Sequence, residues 1–76
     1  MTILKVKDYL SNLTGHITFD YNGYSCGVDP LARGSFDMWY GDNEISVNSI
    51  DEVLNTKFFD GKSLLDIWDN VTELDF

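Results

Sequence analysis

The stretch Ser35-Phe-Asp-Met-Trp-Tyr-Gly-Asp-Asn-Glu-Ile-Ser-Val-Asn48 has the alternating pattern of a β-hairpin. Apolar and polar residues alternate on both sides of Asp42-Asn43, and this pattern around a turn pair indicates two antiparallel strands. With Asp42-Asn43 as a two-residue loop, Tyr40 faces Ile45, and one apolar face extends over both strands. The hairpin is therefore predicted to be half of a sheet with one face buried.

The other face of this hairpin carries Trp39 beside Asp37 and Glu44. A tryptophan exposed to water is costly, and tryptophan is over-represented at interface hot spots. Two interpretations have equal weight at this stage. Either Trp39 contacts a partner, or a loop, the N-terminus or a shifted register covers it.

A second hairpin is predicted from His16 to Val28, because Asn22-Gly23 is the preferred pair for a type I′ turn. A two-residue loop at this pair gives the register Tyr21–Tyr24, Phe19–Cys26 and Ile17–Val28. The stretch Asp29–Gly34, punctuated by a proline and a glycine, is predicted to connect the two hairpins.

Helical spacing of apolar residues predicts an N-terminal helix within residues 3–13, ending near Gly15 as the C-cap. The alternative for its first residues is a strand, since Ile3 to Val6 is β-prone. Capping boxes at Ser49–Glu52 and Ser63–Asp66 predict two helices in the C-terminal third. Between them, Phe58 and Phe59 are expected to fill the core.

The last predicted helix has a buried stripe of Leu64, Ile67, Trp68 and Val71. Its opposite edge would carry Asp66, Asp69 and Glu73. Such an edge is usually a plain solvated helix face, but spaced carboxylates can also occupy a groove built for a nucleic-acid backbone. The predicted fold class is α+β: one domain, residues 1–76, with a four-stranded antiparallel sheet of two hairpins, a short N-terminal helix and C-terminal helices packed on one face.

The net charge of the chain limits the kinds of binding partner it can have. Thirteen acidic residues against five basic ones give a net charge of −8. Direct binding to nucleic acid needs a basic footprint, so it is not expected. The acidity either keeps the protein dissolved or faces a basic partner.

The sequence also indicates a compartment. No apolar run is long enough for a membrane span, and no signal-peptide core is evident. A single cysteine fits a reducing compartment, so a cytoplasmic protein is expected.

Residues with the chemistry for catalysis are sparse. His16 is the only histidine, Cys26 lies at an inward position, and neither has a partner in the sequence pattern. No stretch matches a calcium loop, and Asp60-Gly-Lys-Ser63 lacks the upstream glycine of a phosphate-binding loop. We therefore expect no catalytic site, no cofactor, no metal and no enzymatic activity.

In size, acidity and compact α+β pattern, the chain resembles the small anti-defence proteins of bacteriophages and mobile elements, such as anti-CRISPR proteins and anti-restriction DNA mimics. The resemblance implies a stoichiometric inhibitor, acting in the bacterial cytoplasm, that blocks the DNA-binding surface of a CRISPR effector nuclease or a similar enzyme. It also implies that the contact is made by one of two acidic surfaces: Asp37, Trp39, Asp42 and Glu44, or Asp66, Asp69 and Glu73.

The alternative is a small adaptor or structural interaction module without nucleic-acid mimicry. It would form a homo-oligomer or add a strand to another protein's sheet. Its apolar contacts would come from Trp39, Tyr40 and Phe76, and the acidity would serve only solubility. The sequence leaves the partner and the oligomeric state open.

Overall fold

The computed structural model describes the whole chain, Met1 to Phe76. It contains three α-helices, one 3₁₀ turn and five β-strands. In chain order the elements are α1 (Ile3–Ser11), β1 (Ile17–Tyr21), β2 (Tyr24–Ala32), β3 (Ser35–Tyr40), β4 (Asn43–Val47), α2 (Ile50–Asn55), α3 (Leu64–Ile67), the 3₁₀ turn (Trp68–Asn70) and β5 (Thr72–Asp75).

The strands form a single sheet in the order β4-β3-β2-β1-β5, and every neighbouring pair is antiparallel. The predicted α+β class, with an antiparallel sheet, an N-terminal helix and helices in the C-terminal third of the chain, is confirmed. The predicted number of strands was wrong, because the sheet has five strands rather than four. The additional strand, β5, lies in the segment that was predicted to be helical.

The hairpin of β1 and β2 has the predicted register, with Tyr21 opposite Tyr24. Its loop residues Asn22 and Gly23 have φ values of +55° and +81°. Positive φ at both central positions is what a type I′ turn requires, and asparagine and glycine adopt it at little cost. Local turn chemistry therefore determined this register.

The hairpin of β3 and β4 keeps the predicted apolar face but not the predicted register. The loop residues are Gly41 and Asp42 rather than Asp42 and Asn43, and Tyr40 is opposite Asn43 rather than Ile45. Gly41 has a φ of +59°, as the first loop residue of a type II′ turn requires. The pairing is shifted by two residues, which is one full side-chain period of a strand, so the same residues stay on the inner face.

β2 extends through most of the predicted connection, as far as Ala32, and only Arg33-Gly34 forms the turn. Pro30 lies inside this strand, although proline cannot donate a hydrogen bond to the ladder. It is tolerated because the first residue of β1, Ile17, pairs with Val28, and β1 does not reach Pro30. Pro30 therefore has a neighbouring strand on one side only, β3. A register irregularity between Pro30 and Ala32 leads into the turn.

The predicted C-terminal helix ends much earlier than expected. α3 ends at Ile67, a 3₁₀ turn follows, and β5 then pairs with the outer edge of β1. An open β1 edge would leave a row of backbone donors and acceptors without partners, and β5 satisfies them. β5 has one more residue than β1 between their two paired positions, and Glu73, with φ of +53°, lies in this bulge.

Both predicted helix starts are present. The Ser63 hydroxyl accepts from the Asp66 N–H at 3.2 Å, and Asp66 Oδ2 accepts from the Ser63 N–H at 3.0 Å, which is a complete capping box. At α2 only half of the predicted box forms: the Ser49 hydroxyl accepts from the Glu52 N–H at 3.1 Å. Each cap satisfies backbone groups that a helix end leaves free.

The apolar core lies between one face of the sheet and the three helices. Val6 and Leu10 of α1 and Val53 of α2 are fully buried there. Phe59 fills the centre, with its ring 5.8 Å from that of Phe19 and 6.0 Å from that of Tyr40. Phe58 is only partly buried at the edge of this cluster. The helices thus occupy a single side of the sheet.

α1 ends four residues before the predicted cap, Gly15. The helix stops at Ser11, and Leu13 adopts the left-handed conformation at φ of +54°. The Thr14 N–H bonds to the Tyr9 carbonyl and the Leu13 N–H to the Leu10 carbonyl, which together form a Schellman motif. Leucine at this position is strained, because its Cβ approaches the following carbonyl oxygen.

We expect Leu13→Gly to stabilise the protein by about 0.5–1 kcal/mol, since glycine removes this strain at some cost in unfolded-state entropy. Urea unfolding followed by circular dichroism measures the difference. Ser11→Gly is the matched control and should destabilise, because Ser11 is helical. An unchanged or lower stability of Leu13→Gly would mean that apolar contacts of Leu13 outweigh its strain.

Candidate interaction surface

The outer face is the side of the sheet opposite the helices. Strand pairing brings side chains from all five strands onto it in rows. One row runs Asp75, Thr18, Gly27, Trp39 and Glu44 across β5, β1, β2, β3 and β4. Flanking rows contain Thr72, Asp20 and Ser25 on one side and Asp29, Asp37 and Ser46 on the other.

Trp39 lies at the centre of the outer face, directly over Gly27. A Cβ atom on Gly27 would overlap the Trp39 Cζ2 atom, lie 2.6 Å from Cη2 and lie 2.7 Å from the Ile17 carbonyl oxygen. The indole therefore occupies the space that a side chain at residue 27 would take. This contact leaves Trp39 half-buried, although it does not touch the apolar core.

Acidic side chains surround the tryptophan on the outer face. Glu44 is its direct cross-strand partner, and Asp37 lies two residues earlier on the same strand. Asp20, Asp29 and Asp75 come from the other strands. Neighbouring strands lie about 4.8 Å apart, and alternate residues of one strand about 6.6 Å apart, so these carboxylates form a two-dimensional array.

No basic side chain of a strand neutralises this array, because none of the five strands contains a lysine or an arginine. The only salt bridge joins Lys57 to Asp66, outside the strands. Within the outer face, the Ser46 hydroxyl donates to Asp37 Oδ1 at 2.6 Å, which holds this carboxylate in place. The outer face thus presents negative charge without an internal counter-charge.

The structure brings together three members of the first predicted surface, Asp37, Trp39 and Glu44, on one face. The fourth, Asp42, lies in the turn between β3 and β4 at the rim of that face. The prediction that Trp39 stands on the polar face of the sheet agrees with its position. Whether a partner contacts Trp39 stays a prediction. One side of the indole lies against Gly27.

The second predicted surface does not exist as one helical edge. Asp66 lies in α3, Asp69 in the 3₁₀ turn and Glu73 in β5, so no helix aligns them. The Asp66 carboxylate already has partners within the protein, since its Oδ2 accepts hydrogen bonds from the Lys57 Nζ at 2.6 Å and from the Ser63 N–H. The prediction of a single helical edge was wrong, because helical periodicity was extended past the real end of α3.

Sequence reasoning missed part of the outer face. Asp29 was predicted to lie in the connection between the hairpins, and Asp75 was not among the predicted contact residues, but both lie in strands. The position of Gly27 beneath Trp39 was not predicted. The available signal was a glycine inside a strand pattern, which often marks a close approach by another group.

Other groups with reactive chemistry are not assembled. Cys26 is buried in the core, and burial raises the pKa of its thiol to about 11, so it stays protonated. His16 is exposed just before β1. No three side chains of histidine, cysteine, aspartate or glutamate converge as metal ligands would. None of the helices has the length and apolar content needed to cross a membrane.

Comparisons with models of known protein families, with curated proteins and with solved structures find no match to this chain.

Gly27→Ala should destabilise the fold by about 1–3 kcal/mol, because the added methyl group displaces the indole and presses on the Ile17 carbonyl. In a Trp68→Phe background, the fluorescence of the remaining tryptophan, Trp39, should shift to longer wavelength as water reaches it. Ser25→Ala, on the same face of the same strand, serves as the control. The Gly27→Ala penalty should also be smaller when Trp39 is alanine. Equal penalties in both backgrounds would refute the contact.

The Asp66 carboxylate links stability to pH. Its hydrogen bond from the Lys57 ammonium, followed by those from Ser63, lowers its pKa from 3.8 to about 2. Because the pKa is lower in the folded state, this stabilisation is complete above pH 4 and is lost as the pH falls to about 2. Between these values the melting temperature of Asp66→Asn should fall less steeply than that of the wild type. Asp69→Asn, which removes an unpaired carboxylate nearby, is the control. An identical slope for Asp66→Asn and wild type would contradict the linkage.

Proposed function

We propose that this protein is a non-enzymatic acidic binding protein that inhibits a nucleic-acid-binding enzyme by occupying its DNA-binding surface. The observation that carries the proposal is the outer face, with Trp39 at its centre and carboxylates from all five strands around it. A CRISPR effector nuclease is the kind of target proposed, since its heteroduplex channel is positively charged.

The first support is the one-sided packing of the fold. All the helices pack on the inner face, so the outer face is free to meet a partner as a broad surface. Trp39, Asp37 and Glu44 line neither of the two hollows on the protein surface. A surface of this shape suits a stoichiometric contact with a macromolecule.

The second support is electrostatic. The chain carries a net charge of −8, and the strands contribute no positive side chain. Carboxylates accept bidentate hydrogen bonds from arginine, the same group that proteins use to hold phosphates. In a basic groove that binds a nucleic-acid backbone, the carboxylates of the outer face would therefore replace the phosphates as hydrogen-bond acceptors. Opposite potentials also speed the encounter.

The third support is the position of Trp39. Resting on Gly27, the indole is held in place, yet it remains partly accessible. Tryptophan is enriched at interface hot spots, and its face attracts guanidinium and ammonium groups. In the proposed complex, Trp39 anchors an arginine or lysine of the target while Asp37 and Glu44 pair with its charge.

The alternative function, an adaptor without nucleic-acid mimicry, gains support from one observation: β4 is an open sheet edge. Its proposed apolar contacts receive less support. Tyr40 is on the inner face, where its ring packs 5.0 Å from that of Tyr24 and its hydroxyl accepts from Asn22 Nδ2 at 3.0 Å. Phe76 is exposed and packs edge-on against Tyr9.

The test is inhibition of DNA binding by a panel of purified RNA-guided nucleases and restriction endonucleases, measured by fluorescence anisotropy of a labelled target duplex. We expect equimolar protein to displace DNA from at least one of these enzymes. The complex between that enzyme and the protein should dissociate at about 0.5 M salt, which shortens the Debye length to a few ångströms.

Two charge-reversal variants with equal change in net charge locate the contact. Asp20→Lys with Glu44→Lys alters the outer face and should weaken the complex by about tenfold or more. Asp8→Lys with Asp69→Lys alters the helical side and should retain inhibition. Equal losses in both variants, or undisturbed DNA binding throughout the panel, would overturn the proposal. A salt-resistant complex with a protein that binds no nucleic acid would favour the adaptor.

A further inference from the structure

The free edge of β4 has a defined hydrogen-bonding pattern. The Gly41 N–H donates to the Ser25 carbonyl at 2.9 Å, so the alternate residues Trp39 and Asp37 also bond toward β2. The other residues of β3 then bond toward β4, where their partners are Asn43, Ile45 and Val47. The backbone N–H and C=O groups of Glu44 and Ser46 consequently point away from the sheet, at the open edge.

The opposite edge of the sheet is much less suited to pairing. β5 contains a bulge, with Glu73 in the left-handed conformation, and it has only four residues. Short, bulged strands are a common means of protecting a sheet edge. β4 has no bulge, no proline and one charged side chain, Glu44. The two edges of this sheet are therefore unequal, and β4 is the one prepared to accept another strand.

We propose that an extended basic segment of the target protein pairs with β4 as a sixth strand. This inference rests on the proposed function and adds how the target is held. Pairing would satisfy the outward backbone groups of Glu44 and Ser46. It would also continue the outer face by one strand, about 4.8 Å beyond Glu44.

The side chains of β4 define the sequence that the added strand must have. On the outer face, its residues would lie beside Glu44, where lysine or arginine gives favourable cross-strand pairs. On the inner face, its residues would lie beside Ile45, which is only partly buried and has room for an apolar neighbour. The recognised segment is thus an alternation of basic and apolar residues.

A second copy of this chain is a poor occupant of the same edge. Pairing β4 with β4 would bring two Glu44 side chains and two outer faces together on one surface. Each copy carries a net charge of −8, and like charges across paired strands are destabilising. Charge complementarity therefore selects a basic partner strand.

The test uses a synthetic peptide about seven residues long with alternating lysine and valine, which matches the length of β4 with a residue at each end. Binding is measured by calorimetry against two variants. Both variants lose the Ser46 hydroxyl. Ser46→Pro also loses the outward backbone N–H but leaves the hydrogen bonds between β4 and β3 intact, whereas Ser46→Ala keeps that N–H. We expect Ser46→Pro to bind the peptide about tenfold more weakly than Ser46→Ala.

A modified peptide makes the test independent of how Ser46→Pro folds. N-methylation on the edge that faces β4 removes the peptide's donors and leaves its charge unchanged. This peptide should bind about tenfold more weakly than its parent. Equal affinities for the two peptides would overturn the inference, as would equal affinities of the two Ser46 variants when both are folded by circular dichroism.

Failure of this inference is distinguishable from failure of the proposed function. If Asp20→Lys with Glu44→Lys loses inhibition of the target enzyme while Ser46→Pro inhibits as well as Ser46→Ala, the outer face acts without strand addition. If the alternating peptide binds through β4 but no enzyme is inhibited, strand addition is real and the charge-mimic function is wrong.

Discussion

Burial of the inner face of the sheet is the constraint on which the rest of this structure depends. Phe19, Met38 and Phe59 come from distant parts of the chain and are fully buried in the same core. With 76 residues, the chain covers one face of a five-stranded sheet with helices, and the other face stays open to water. Every strand must then alternate apolar and polar side chains, because its two faces meet opposite environments. The outer face is a direct consequence of this arrangement.

An open sheet face can be neutral, mixed or strongly charged, and here it is negative around a tryptophan. The charge has no counterpart within the strands, whereas Asp66, the one carboxylate that is paired, serves a helix start. Full exposure of the Trp39 side chain to water would cost free energy. Gly27 reduces this cost, because without a Cβ it lets the indole pack against the backbone. The arrangement keeps an aromatic surface within an acidic array, and arginine interacts favourably with both aromatic faces and carboxylates.

The outer face and the β4 edge are continuous. Glu44 belongs to both, since its side chain lies beside Trp39 and its backbone points to solvent. A partner strand at this edge and basic side chains over the outer face would therefore engage neighbouring parts of one surface. Backbone pairing supplies geometry, and the carboxylates supply charge selection. The bulge at Glu73 restricts this mode of binding to one side of the sheet.

The sequence by itself determined the features that depend on neighbours along the chain. These are the Asn22-Gly23 turn with its register, the apolar alternation of the strands, the Ser63–Asp66 cap and the acidic polar face with Trp39. Turn and capping chemistry act over two to four residues, so a single sequence reveals them. The tertiary structure decided the rest. The apolar spacing after Ile67 predicts a continued helix, yet Thr72–Asp75 forms a strand, because β1 otherwise has an unpaired edge. Because of this long-range backbone pairing, Asp66, Asp69 and Glu73 lie in three different elements rather than along one helix. The pairing of β2 with β3 places Gly27 beneath Trp39.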